Sequence, residues 1–118
     1  MITIDQLRKL ALSFPEATEE PHFEKQSFRV KKKIFATYDD SHNRATLKLP
    51  EQDQDIYCLA DPTTIYSVDN KWGKQGWTFV DMDHVSLGLF EDALASAYCC
   101  VAPKKLARLV ISDDRPET

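Results

Sequence analysis

Ser27-Phe28-Arg29-Val30-Lys31-Lys32-Lys33-Ile34-Phe35 is the stretch from which the fold can be read. Phe28 and Val30 alternate with Ser27, Arg29 and Lys31, the two-residue period of a strand with one dry and one wet face. The apolar run resumes after a tight reversal at Lys32 and Lys33, so strands over 27 to 31 and 33 to 38 are expected to pair. Asp39-Asp40-Ser41-His42-Asn43 makes the next turn from residues that hydrogen-bond locally. Ala45, Leu47 and Leu49 then alternate with Thr46 and Lys48 over a third strand, 45 to 49, giving an antiparallel meander.

Helices flank this meander. Thr3-Ile4-Asp5-Gln6 reads as a capping box, and Ile4, Leu7, Leu10, Ala11 and Phe14 continue as one apolar stripe that Pro15 ends. Residues 15 to 26, with two prolines and four glutamates, lack a period and read as a surface loop. Pro50 at a first helical position, with Glu51 and Asp53 after it, starts a short helix whose apolar face is Ile56, Tyr57, Leu59 and Ala60. Strands follow at 65 to 68 and 77 to 81, joined by a loop holding both tryptophans. Ser86 caps a long helix carrying Leu87, Phe90, Leu94, Ala97, Tyr98 and Val101, and Pro103 separates it from a last short helical segment. The predicted order is α-β-β-β-α-β-β-α plus a short C-terminal helix. This is an α+β fold, a two-layer α/β sandwich with a five-stranded antiparallel sheet, in a single domain over 1–112 with a flexible tail at 113–118.

Composition narrows the function. A chain of 118 residues with 42% apolar and 29% charged residues buries a core without disulfides, and the odd cysteine count, Cys58, Cys99 and Cys100, reads as reduced thiols. With neither a signal-peptide pattern nor a membrane-length apolar run, a cytoplasmic protein with no membrane association is expected. The formal charge of −4 argues against coating nucleic acid by bulk attraction, yet no acid occurs from Lys25 to Lys33. His22, His42 and His84 lie apart on predicted loops, and no nucleophile elbow, phosphate loop or dinucleotide fingerprint is present. No metal, cofactor or enzymatic activity is therefore expected.

Five blocks carry a resemblance that covers nearly the whole chain. In order they are Phe28-Arg29-Val30, Lys33-Ile34-Phe35-Ala36, Leu47-Lys48-Leu49, Trp72-Gly73-Lys74-x-Gly76-Trp77 and Val101-Ala102-Pro103-Lys104-Lys105-Leu106. Together they resemble the MmcQ/YjbR family of small bacterial proteins. That resemblance implies a five-stranded antiparallel sheet packed with helices, related to CyaY-like and secretion-chaperone-like folds, and a DNA-binding role through a double-wing arrangement.

The candidate nucleic-acid contacts are Arg29, Lys31 and Lys48 on a solvated strand face, and Lys32 and Lys33 at the reversal. Lys71 and Lys74 lie in the tryptophan loop, with Trp72 as the stacking group. Lysines on a wet sheet face commonly do no more than solvate it, and tryptophan is commonly core, Trp77 more so than Trp72. The alternative is a protein-interaction or chaperone-like module with a protein partner and no nucleic-acid ligand, the chain being a monomer or weak homodimer. Salt separates the two, since affinity built on phosphate contacts falls steeply as ionic strength rises.

Overall fold

The computed structural model describes residues 1–111; the tail expected at 113–118 lies outside the described residues. Helix α1, Ile4–Leu12, opens on the expected capping box: the Gln6 amide donates to Thr3 Oγ1 at 3.2 Å and the Thr3 amide to Gln6 Oε1 at 2.9 Å. Its stripe buries Leu7 and Ala11 completely. Three further strands match the meander read from sequence: β2 at Lys25–Val30, β3 at Lys33–Asp39 and β4 at Arg44–Lys48. The remaining strands are β5 at Ile65–Ser67, β6 at Trp77–Asp81 and, before the meander, β1 at Ala17–His22.

β1 corrects the expected five-stranded sheet to six strands, in the antiparallel order β1-β2-β3-β4-β6-β5. The segment reads as a loop because glutamate and proline disfavour strands. It forms at an edge, the place in a sheet that tolerates a proline such as Pro21. Arg8 then ties α1 to it, donating from Nε to Glu19 Oε1 at 2.7 Å and from Nη2 to Glu19 Oε2 at 3.1 Å. Charge and proline also protect an edge from pairing with other chains, as does the shortness of β5 at the opposite edge.

One sheet face is committed to the core. Phe28, Val30, Ala36, Tyr38, Ala45, Leu47 and Val80 point inward and are buried. A bulge between β2 and β3, where the pairing steps from Phe28↔Ala36 to Arg29↔Ile34, turns Phe35 inward as well. Helix α4, Leu87–Val101, capped by Ser86 as predicted, lies across β3 and β4 on this face. Its Tyr98 ring stacks on Phe14 at 4.8 Å, meets Phe35 edge-on at 5.5 Å, and donates its hydroxyl to Pro15 O at 2.6 Å. After Pro103, helix α5, Lys104–Ile111, packs back on α4. No helix among the described residues is long and apolar enough to cross a membrane.

Helix α2, Glu51–Ala60, departs from its expected face. Ile56 and Leu59 are largely exposed, whereas Gln54 is buried, and Pro50 occupies the cap position in extended geometry and not the first helical turn. Phe35→Ala, which empties the contact between the bulge and Tyr98, should cost about 3–5 kcal/mol in urea unfolding without altering the fold of the remainder.

Candidate functional site

The strand register places the predicted cations relative to one another. β2 ends, β3 begins, β4 ends and β6 begins at the same end of the sheet. Lys31, Lys32 and Lys33 therefore share that end with Lys48 and with the segment preceding Trp77. α4 runs toward the same end, since Tyr98 reaches Pro15 just before β1, so Lys104 and Lys105 start α5 there too. Lys31, Lys32, Lys33, Lys71 and Lys74 are exposed, and Arg29 and Lys48 are half-buried. Of the eight candidates, only Lys31 has a carboxylate partner among the described residues, Glu16 at 2.7 Å, and both side chains are more than half exposed. Such a pair contributes little.

Two placements differ from expectation. Lys31 is off the strand face: with Lys32 it forms the two-residue connection between the paired Val30 and Lys33, at φ of 51° and 69°. Positive φ at both central residues is the signature of a type I′ hairpin turn, which favours Asn-Gly. The tryptophan segment is also no open loop, because Lys71–Lys74 forms a short helix, α3. Asn70 caps it, its side chain accepting from the Trp72 amide at 2.8 Å.

Close backbone packing fixes α3 against the sheet. A methyl group on Gly73 would stand 2.0 Å from Val68 O, and one on Gly76 2.1 Å from Leu49 O, with Gly76 at φ 103°. Gln54, the buried polar residue of α2, completes the clamp by donating to Gly73 O and to Thr78 Oγ1, each at 3.0 Å. Sequence reading missed this glutamine, since only the tertiary fold supplies the carbonyl it satisfies. The clamp seats α3 with Trp72 half-exposed at the rim of the sheet, while Trp77 is partly buried.

The sheet face opposite α4 carries the rest of the site. Its central row is Thr37, Thr46 and Phe79, cross-strand neighbours that are each only half-buried. Arg44, absent from the candidates, lays its guanidinium 3.9 Å from the Phe79 ring centre. Lys48 sits 5.9 Å from the Trp77 ring and donates to Gln75 O. Arg29 lies along β2, donating to Ser27 Oγ at 3.0 Å.

The other end of the sheet is acidic, with Asp39, Asp40, Asp61, Asp81 and Asp83. Two matching pairs occur there, His42 Nδ1 to Asp39 Oδ2 at 2.8 Å and His84 Nδ1 to Asp81 Oδ2 at 2.7 Å. Burial works to raise the Asp39 carboxyl, but hydrogen bonds from Ser41 and His42 outweigh it and hold the pKa below the ordinary range. The hydrogen bond to Asp81, with its charge, raises His84 above the ordinary 6.5. Among the described residues no group of three or more His, Cys, Asp or Glu is arranged to hold a metal ion.

The chain is thus a small α+β protein with a helix-covered sheet face, an open face and a lysine-bearing end. It belongs to the YjbR family, whose model matches residues 12–100. Its structure is similar to the crystal structure of Deinococcus radiodurans protein DR2400, described by the family-model domain DUF419. The two share 24% identity at a TM-score of 0.76, over 93% of this chain and 88% of that one. At that identity the likeness speaks to the fold. No curated protein matches the sequence.

Gly73→Ala and Gly76→Ala should each lose more than about 1 kcal/mol of stability, because backbone atoms block the added methyl. Gly88→Ala, with nothing within 4 Å of the new carbon, should not. His84 should titrate by NMR with a midpoint above 6.5. Its pairing supports the fold fully below the unfolded-state pKa and is lost as pH rises through the raised folded value. Asp81→Asn should return the midpoint toward the ordinary value.

Proposed function

We propose that the chain binds nucleic acid, using the lysine-bearing end of the sheet to meet phosphates. The observation that carries this reading is the Lys31-Lys32 turn. Left-handed geometry costs a non-glycine residue roughly 1–2 kcal/mol, and a turn selected for folding alone favours Asn-Gly. Two adjacent lysines there carry both that strain and their mutual repulsion. Positive φ also occurs at Glu16, Phe23 and Asn43, so it is the placing of two adjacent lysines in such a turn, and not the strain alone, that supports a role for it. Lys33, Lys48, Lys71 and Lys74 extend the surface; Glu16, paired with Lys31, and Asp69, beside Lys71, are acids at this end, and Asp39, Asp40, Asp61, Asp81 and Asp83 lie at the opposite one.

On this reading the protein is a cytoplasmic binder and not an enzyme, acting as a monomer or weak dimer. Burial raises the thiols of Cys58, Cys99 and Cys100, which favours the unreactive protonated form. The Lys31–Lys33 turn and α3 lie at one end of the sheet, which supports a contact through two basic elements.

Lys31→Asn combined with Lys32→Gly separates the fold from the function. The double variant should gain about 1 kcal/mol of stability in urea unfolding. Its DNA affinity should fall, and the slope of log K against log salt should shrink by about 1.4 for a single strand or about 1.8 for a duplex, two phosphate contacts' worth. Undiminished affinity in the variant would contradict the role of the turn. Wild-type binding no tighter than that of an unrelated protein of the same charge would contradict the reading as a whole.

A further inference from the structure

The open sheet face bears a groove of about 390 Å³, within the size range of built ligand sites. Thr37, Thr46, Ile34 and Phe79 make its floor, and Trp72, Trp77 and Val68 its wall at the lysine-bearing end. His22 and Lys25 close the other side. No carboxylate among the described residues lines it. The acids of this face lie off the groove: Glu20 on edge strand β1, and Asp39 and Asp81 in the terminal row, where Arg44 stands between them.

Each indole in the wall has an ammonium at its ring. Lys48 Nζ is 5.9 Å from the Trp77 centroid and Lys71 Nζ is 6.0 Å from that of Trp72. An indole with an ammonium over its ring matches one nucleotide, the base lying on the part of the ring the ammonium leaves uncovered and the phosphate meeting the ammonium. The groove offers both indoles, with Lys48 and Lys71 outside its lining at the rim, and threonine hydroxyls able to exchange hydrogen bonds with base edges. The Gln54 and glycine clamp removes much of the ordering cost, because α3 is already seated. A duplex keeps its bases stacked inside and offers this wall nothing to lie on.

Resting on the nucleic-acid reading above, we infer that this groove takes the unstacked bases of a single strand, with Trp72 and Trp77 as stacking platforms. The lysine turn then follows the backbone beyond the groove. Charge complementarity and the aromatic floor select this occupant over an acidic peptide, which would meet the ammonium groups but leave both indoles uncovered.

The test uses a property of the sequence: Trp72 and Trp77 are the two tryptophans of the chain, and both line the groove. Titration of the full-length protein with oligodeoxythymidine should quench its tryptophan emission saturably, and a duplex of equal length should bind more weakly and quench less. Trp72→Ala should weaken single-strand binding roughly 5- to 150-fold while Trp72→Phe retains most of it. The half-exposed position of Trp72 leaves both variants folded, as circular dichroism would verify. Tighter binding of the duplex with unchanged emission overturns the groove assignment and leaves the phosphate reading standing. Equal affinity of wild type and Trp72→Ala overturns it too, as does full competition by polyglutamate. Absence of any DNA binding removes both proposals together.

Discussion

Burial of a single sheet face under α4 is the constraint from which the other features follow. The Phe35 bulge, the Tyr98 ring and Phe14 meet there, and the Tyr98 hydroxyl secures the chain just ahead of β1. With the helices drawn to that side, the alternate residues of the strands lie on an open face, where most, though not Ser27, keep some exposure. Antiparallel pairing also brings the β2–β3 turn, the end of β4 and the start of β6 to one end. Cations separated by more than forty residues in sequence come to the same end of the sheet for that reason alone.

This geometry reconciles an acidic chain with a basic surface. Carboxylates dominate the turns at one end of the strands, where Asp39 and Asp81 hold histidines, and lysines outnumber the acids Glu16 and Asp69 at the other. Between charges in water, interactions fade over about 8–10 Å at ordinary salt, so the two ends act locally. The net charge of −4 describes neither of them.

Local periodicity made most of the fold legible. The capping box at Thr3 and Gln6, the alternation around Phe28 and Leu47, and the Ser86 cap are written in residues a few positions apart. β1 escaped because its strand character comes from pairing with β2 and from Arg8 reaching Glu19, not from its own acidic sequence. α2 misled for the opposite reason: Ile56 and Leu59 look like core but stay exposed, while a polar Gln54 is buried to satisfy the Gly73 carbonyl. At the site, the lysines formed visible runs and Trp72 stood out. Arg44, Phe79 and the threonine row did not, since only the register of three strands brings Thr37, Thr46 and Phe79 into one row next to Trp77 and sets Arg44 against Phe79 from the acidic end.

The most direct test of the account is an amide and indole NMR map recorded while single-stranded oligonucleotide is added. The account predicts shifts concentrated at the Trp72 and Trp77 indoles, the Thr37–Thr46–Phe79 row and Lys31–Lys33, with α4 and the Asp39–Asp83 end unmoved. Shifts centred on the helix-covered side or the acidic end, or none at saturating oligonucleotide, would contradict it.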